Sequence, residues 1–321
     1  YPENPVLTSA MDFEDRGGED FLKPARYNPA SILQKSGHGS LVETQGGEWY
    51  LAHLCARPFV PELRCTLGRE TAIQKMQWAD DGWLRLSGGG NLARVEVSEP
   101  ALTEYPLPDF PALEDFDGDW NPHLVSPRTD WKKWSNTKER PGFLRIYGQQ
   151  SLASLDRVSL VARRLTSLDA DVSTVVEFEP ATYQHSSGLV VYYDNMNWVY
   201  LRIYRSDSLD GKTLVLMCVE NGAKRELLDT RVRIPDGKPV WMKCKIRSRE
   251  TRFYFSFAEP GANLEDAVAW KPIGPVLDTS LFSDEYCKYG EFTGTFVGIC
   301  CTDTNRRTKY ADFDWFEYRD L

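Results

Sequence analysis

Two short segments in the first quarter of this 321-residue chain carry side chains that can take part in chemistry. In the first, His38 stands between two glycines, which allow its backbone and imidazole to approach a crowded centre closely. In the second, Arg69 follows Gly68, and a guanidinium group can hold a carboxylate and a hydroxyl group at the same time. Each residue also has an ordinary alternative: His38 as a turn residue with a satisfied hydrogen bond, and Arg69 as an exposed partner of Glu70.

The seven cysteines do not have the spacing of a metal site or of a disulfide scaffold. Their number is odd, they are scattered along the chain, and none forms a CxxC motif or a cluster with histidine. Cys300 and Cys301 are adjacent within the apolar run 296–301, which is typical of reduced cysteines in a core strand. We therefore expect a cytoplasmic location, with secretion as the alternative because the sequence does not begin with Met.

Charge and hydropathy argue against two classes of partner. The 38 basic and 47 acidic residues leave a formal net charge of −9, and an acidic surface repels the phosphate groups of nucleic acids. No apolar run approaches the roughly 18 residues that a membrane-spanning helix needs. We expect neither a nucleic acid nor a membrane as a partner.

Alternating apolar and polar residues predict β-strands along the whole chain, and no helical pattern extends beyond a couple of turns. Up to residue 98, short alternating runs are separated by Gly-Gly and Asp-Gly turns, and about 100 such residues would build roughly two propeller blades. Residues 99–112 are rich in proline, which cannot join a central strand, and are predicted to be a linker. Residues 113–321 contain many strands at regular spacing, as in a large antiparallel sandwich.

A series of motifs, in order along the chain, resembles glycoside hydrolase family 43, and within it the β-xylosidases with a C-terminal sandwich. The motifs lie at residues 35–44, 47–54, 65–74, 140–148, 159–164, 292–298 and 311–316. The resemblance implies an all-β fold, a partial five-bladed β-propeller followed by a concanavalin-like antiparallel β-sandwich. In these terms residues 1–98 are the C-terminal blades of a catalytic propeller, 99–112 the linker, and 113–321 a sandwich domain that closes the active site.

The resemblance also implies an activity, that of an inverting exo-β-1,4-xylosidase that releases xylose from xylo-oligosaccharides, with α-L-arabinofuranosidase as a second activity. The alternative is a non-catalytic, carbohydrate-binding β-sandwich module. Residues 4–8 resemble the segment that follows the family's general-acid glutamate. We therefore expect no catalytic residue in this chain. The acid, the base and a third carboxylate would lie upstream of Tyr1, in an N-terminal propeller portion, nicked or separate, that is a partner of this chain. Assembly into a homo-oligomer is left open.

Three residues have substrate-binding roles implied by the resemblance. Arg69 would point into the sugar pocket, and His38 would face the propeller axis below the sugar and help to hold a divalent cation, expected to be calcium. Calcium prefers oxygen ligands, so one imidazole with waters would make a weak site. Phe292 would lie on a loop of the C-terminal domain and close the pocket, which makes the enzyme exo-acting. The alternatives are a core or inter-domain position for Phe292, or Phe296 as the loop residue.

Overall fold

The computed structural model describes residues 4–11, 28–107, 111–257, 269–289 and 292–321. The chain divides into two compact units, of which the first consists of Tyr1–Asp109 with Ser283–Gly294, and the second of Phe110–Phe282 with Thr295–Leu321. The longer stretch of the first unit, Tyr1–Asp109, ends within the predicted linker 99–112. The first unit also includes a short segment that the sequence motifs had assigned to the sandwich domain.

Strands make up the regular structure of both units. Those of the first unit are β1 (Gln34–Glu43), β2 (Trp49–Ala56), β3 (Glu70–Trp78) and β4 (Leu84–Leu86). Those of the second unit are β5 (Leu113–Glu114), β6 (Ser135–Asn136), β7 (Leu144–Tyr147), β8 (Ser159–Arg164), β9 (Asp169–Glu177), β10 (His185–Asp194), β11 (Asn197–Ser206), β12 (Gly211–Glu220), β13 (Ala223–Glu226), β14 (Val232–Arg233), β15 (Val240–Arg247), β16 (Glu250–Ser256), β17 (Lys271–Asp278), β18 (Phe296–Asp303) and β19 (Tyr310–Asp320). The described helical elements are 3-10 turns at Trp131–Lys133, Leu228–Thr230 and Thr279–Leu281. Within the described ranges, no helix could span a membrane.

The first unit is built on one antiparallel meander in which β1, β2, β3 and β4 are neighbours in that order. A tight turn joins β3 to β4, and Gly82 occupies its left-handed position with a φ of 80°. The inward residues of three strands form an apolar cluster of Leu51, Met76, Leu84 and Leu86. Within the described residues, these four antiparallel strands have the content of one propeller blade, and the prediction of roughly two blades over residues 1–98 stays a prediction.

The second unit contains two antiparallel sheets. The order in the first is β13-β12-β11-β10-β18-β8, with β14 paired to β12. The order in the second is β17-β16-β15-β9-β19-β7-β6, with β5 paired to β19. These sheets confirm the predicted all-β class with an antiparallel sandwich.

Strand β10 lies at the centre of the first sheet, and each of its residues is buried. It pairs with β11 on one side and with β18 on the other, where Leu189 lies opposite Leu201 and Ile299. Burial on both faces explains why these strands read as continuous apolar runs rather than as strict alternation. The adjacent cysteines Cys300 and Cys301 lie on β18, and both are buried and free, as predicted for that run.

The connection between β18 and β19 is organised by one buried carboxylate. Asp303 accepts hydrogen bonds from the backbone N–H groups of Asn305 and Arg306 on Oδ1, at 2.9 and 3.0 Å. Its Oδ2 accepts from those of Thr308 and Lys309, at 2.9 and 3.0 Å. Burial alone would raise the pKa of Asp303, but these donors outweigh it and hold the pKa below its ordinary value.

We expect Asp303→Asn to destabilise the second unit, because an amide NH₂ group would then face two backbone N–H donors in place of an acceptor oxygen. The unfolding free energy should fall by about 2–4 kcal/mol at pH 7. Since the folded pKa lies below the unfolded value of about 3.9, this contribution is present above that pH and is lost as the pH falls through the folded pKa. Urea unfolding followed by tryptophan fluorescence should therefore show the difference between the two proteins narrowing below about pH 4. Parallel pH profiles would contradict this role.

Candidate functional site

The residue that precedes Arg69 has to be glycine, because of its backbone conformation and its packing. Gly68 has a φ of 73°, and a Cβ atom added to it would lie 2.5 Å from the backbone N of Gly294 and from the backbone O of Thr293. The segment 283–294, which belongs to the same unit, therefore packs directly against the residue before Arg69. Strand β3 starts one residue later, so the base of the arginine side chain is held by a sheet.

The guanidinium group of Arg69 lies between a carboxylate and an aromatic ring. Its Nη1 donates a hydrogen bond of 2.5 Å to Oδ2 of Asp284, and its Cζ lies 3.9 Å from the centroid of the Phe292 ring. The Arg69 side chain is 16% exposed, and Phe292 is 55% exposed. The structure thus brings together two of the three residues that the sequence had nominated for substrate binding.

Phe292 adopts a left-handed backbone conformation, with a φ of 51°. A bulky side chain in this region costs about 1–3 kcal/mol and persists only where its surroundings enforce it. Phe296, the other phenylalanine considered for this role, is the first residue of β18 and packs against the apolar cluster of the second unit. Of the two, Phe292 is the one that lies beside Arg69.

A buried lysine contacts the same Asp284 carboxylate that accepts the hydrogen bond from Arg69. Lys35 Nζ lies 2.8 Å from Oδ2 of Asp284 and 2.6 Å from Oε1 of Glu285, and its side chain is 2% exposed. Glu285 also accepts a hydrogen bond of 2.9 Å from the backbone N–H of Cys65. Burial would lower the pKa of Lys35, but the two carboxylates outweigh it and raise the pKa above its ordinary value. Two cations and two anions are therefore collected in one cluster, which we call the Lys35 cluster: Lys35, Arg69, Asp284 and Glu285.

Sequence reasoning missed Lys35, Asp284 and Glu285. The available signals were a lysine at the start of a strand and two adjacent acidic residues in a polar loop, and both patterns are common on solvated surfaces. Glu70, the neighbour considered as an ordinary partner of Arg69, accepts two hydrogen bonds from Arg57, at 3.0 and 2.8 Å.

His38 lies on β1 of the first unit. It is an exposed residue of β1 with a φ of 51°, and it lines an open cleft of about 640 Å³ together with Leu41, Trp78 and Trp83. Neither Arg69 nor Phe292 is among the residues that line this cleft. The structure places Arg69 in contact with Phe292, and the role of His38 beside them stays a prediction.

The surroundings of His38 do not fit a calcium ion held by this chain alone. The lining of its cleft is apolar apart from the amide of Asn4 and the backbone, whereas calcium takes six to eight oxygen ligands. Within the described part of the chain, no three residues among His, Cys, Asp and Glu come together as a metal site would require. Calcium at His38 stays a prediction.

Comparisons with known protein families, relatives and structures match this chain over its full length. A family described as beta xylosidase C-terminal concanavalin A-like domain matches residues 113–319, and glycosyl hydrolases family 43 matches residues 14–84. A beta-xylosidase of Bacillus subtilis is 34% identical over the full chain, and a xylosidase/arabinosidase of Humicola insolens is 35% identical over 94% of it. The structure of a xylan beta-1,4-xylosidase from Bacillus halodurans superposes over the full chain with a TM-score of 0.86 and 41% identity.

This chain spans 56–57% of the length of those three proteins. The family match to residues 113–319 alone covers more than half of the chain, and the relatives extend the match through the first unit. The chain therefore belongs to glycosyl hydrolase family 43, with residues 113–319 as its β-xylosidase C-terminal concanavalin A-like domain.

Proposed function

We propose that the protein carrying this chain is an inverting exo-β-1,4-xylosidase that releases xylose from xylo-oligosaccharides and also accepts α-L-arabinofuranosides. The observation that carries the proposal is the match along the full length of the chain, at 34% and 41% identity, to two proteins named as xylosidases. A relative named xylosidase/arabinosidase, 35% identical, supports the second activity.

The pairing of Arg69 with Phe292 suits a sugar-binding role. A guanidinium fork can donate hydrogen bonds to sugar hydroxyl groups, and an aromatic ring can cover the C–H-rich face of a sugar. Phe292 is largely exposed and contacts the guanidinium group, so its ring is available on the same side of the first unit as Arg69. A fixed positive charge also favours the ionised form of a nearby catalytic carboxylate.

We assign neither the catalytic acid nor the catalytic base to this chain. Inversion requires two carboxyl groups about 6.5–9.5 Å apart with a water molecule between them. Three carboxylates described near Arg69 in space or sequence already pair with other cations, since Asp284 and Glu285 pair with Lys35, and Glu70 pairs with Arg57. We propose that both catalytic groups belong to a portion equivalent to the remaining length of the relatives, and that this portion is the partner of the first unit.

The proposed function is tested by hydrolysis of nitrophenyl β-xyloside and nitrophenyl α-arabinofuranoside by the whole enzyme, meaning this chain together with that portion. We expect both substrates to be cleaved and the first-formed xylose to be the α-anomer, seen by proton NMR, because inversion converts a β-glycoside into an α-product. A β-anomer would exclude inversion, and binding of xylo-oligosaccharides without cleavage would favour the carbohydrate-binding alternative. A chelator arm tests the predicted calcium: loss of activity that calcium restores in the wild type but not in His38→Ala would support it.

Arg69→Ala should reduce kcat/KM by about 100-fold or more, because the change removes a charge that orients both substrate and catalytic carboxylate. The measurement is steady-state kinetics on nitrophenyl β-xyloside. The matched control is Arg57→Ala, which removes an arginine that is paired with Glu70 and whose side chain is 47% exposed, and it should leave kcat/KM within about twofold of wild type. Near-normal turnover of Arg69→Ala would place this residue outside the substrate site.

Phe292→Ala should weaken substrate binding while leaving the fold intact. We expect KM to rise about three- to tenfold, the effect of losing one aromatic contact. The melting temperature should stay almost unchanged, because the ring is more than half exposed and the φ of 51° has a similar cost for alanine. A fall of several degrees in melting temperature with unchanged kinetic constants would instead make Phe292 a structural residue.

A further inference from the structure

One carboxylate oxygen in the first unit serves two cations. Oδ2 of Asp284 accepts from Lys35 Nζ at 2.8 Å and from Arg69 Nη1 at 2.5 Å. The side chains of Lys35 and Asp284 are 2% and 7% exposed, so this oxygen is the point at which a fully buried charge meets a partly exposed one. Arg69 is thereby tied to a group that has almost no freedom to move.

The partners of Asp284 explain why it can serve as a fixed anchor. Lys35 is held on its other side by Glu285, and Glu285 is held in turn by the backbone N–H of Cys65. The side chains of Lys35, Asp284 and Glu285 are all at most 7% exposed, and these contacts restrict the position of the Asp284 carboxylate. The formal charges of the four members of the Lys35 cluster sum to zero, which allows the cluster to stay ionised out of water.

Two further contacts restrict the conformations that the Arg69 side chain can adopt. The ring of Phe292 lies 3.9 Å from Cζ, which fixes the plane of the guanidinium group by a cation–π contact. The backbone of Thr293 and Gly294 packs against Gly68, which fixes the start of the side chain. An arginine side chain has many rotamers in water, and here its base, its plane and one of its nitrogens are all constrained.

We propose that Asp284 is a positioning residue that sets the direction of the Arg69 guanidinium group toward substrate, and that Lys35 and Glu285 hold Asp284 in place for this purpose. The proposal rests on the proposed function, since it concerns the direction in which Arg69 meets a sugar. Asp284 itself does not touch substrate. It acts through Arg69, and its loss should be felt only where Arg69 is present.

A double-mutant cycle in the whole enzyme tests this dependence. Asp284→Asn should lower kcat/KM for nitrophenyl β-xyloside by about 10- to 100-fold, because small misplacements of a positioning group cost about that much. In the Arg69→Ala background, Asp284→Asn should cause no further loss. If the two losses multiply, Asp284 acts independently of Arg69 and the proposal is overturned.

The matched control for this cycle is Glu70→Gln. It also removes one acidic charge, from the residue next to Arg69 in sequence, but Glu70 pairs with Arg57 and not with the cluster. We expect kcat/KM of this variant to stay within about twofold of wild type. A loss as large as that of Asp284→Asn would mean that any nearby negative charge has the same effect, and would contradict a specific role for Asp284.

A second pair of variants separates positioning from stability. Asp284→Leu leaves Lys35 with Glu285 alone and should lower both the melting temperature and kcat/KM. Lys35→Met combined with Asp284→Leu and Glu285→Gln removes all three buried charges, leaves no buried carboxylate without a cation, and should regain most of the melting temperature. If Asp284 positions Arg69, kcat/KM stays low in the triple variant, because the anchor is still missing. Recovery of kcat/KM together with the melting temperature would show a structural role only.

The outcome of this test remains distinct from that of the proposed function. If the wild-type enzyme hydrolyses neither glycoside, the proposed function fails. The arrangement of Arg69 is then examined in a crystal structure of the Lys35→Met/Asp284→Leu/Glu285→Gln variant. Displacement of the guanidinium group from beneath the Phe292 ring would support positioning by Asp284, and an unchanged guanidinium group would overturn it.

Discussion

A lysine ammonium that has been removed from water needs a counter-charge, and in the first unit this requirement joins distant parts of the sequence. Lys35 is buried between Asp284 and Glu285, and removal of one partner from such a buried pair typically costs about 3–5 kcal/mol. The carboxylates therefore have to be brought to β1 by the chain segment 283–294, which is counted within the first unit. The direction of Arg69, the packing of Gly68 and the place of Phe292 all follow from the position of that segment.

The second unit also contains a buried charge, but there the charge is compensated by backbone groups. Asp303 is fully buried, and it is stabilised by four backbone N–H groups of one turn. A carboxylate satisfied in this way fixes a local loop between neighbouring strands. A carboxylate satisfied by lysine and arginine, like Asp284, fixes side chains that come from remote strands. The arrangement at Asp303 stabilises a local turn, whereas the arrangement at Asp284 can also orient a functional side chain.

The class of fold and most strands of the second unit were predictable because each depends on local pattern. The apolar runs at 187–193, 198–204 and 213–219 correspond to β10, β11 and β12, whose period and turn residues are visible over ten residues or fewer. The Lys35 cluster was not predictable in this way. Lys35 and Asp284 are separated by 249 residues, and nothing local distinguishes them from residues on a solvated surface.

The three predicted substrate-binding residues each lie on a segment that resembles the family, and their binding roles stay predictions. Arg69 and Phe292 were nominated in this way, and the structure places them in contact. His38 was predicted by the same argument, and among the described residues its cleft offers the Asn4 amide and backbone groups as oxygen ligands, so calcium at this position stays a prediction. The left-handed backbone of Phe292 carries no sequence signal, because a bulky residue takes that conformation only when tertiary contacts impose it.

The discontinuous first unit has a consequence for synthesis on the ribosome. Lys35 leaves the ribosome 249 residues before Asp284, which at about 5–20 residues per second is an interval of roughly 10–50 s. During that time its ammonium has no counter-charge to bury against and keeps its hydration. The sheet formed by β1–β4 therefore gains the segment 283–294 only after β5–β17 have been synthesised, and β18 and β19 follow that segment. Both units are thus completed only during synthesis of residues 283–321, so neither can reach its final structure early in translation.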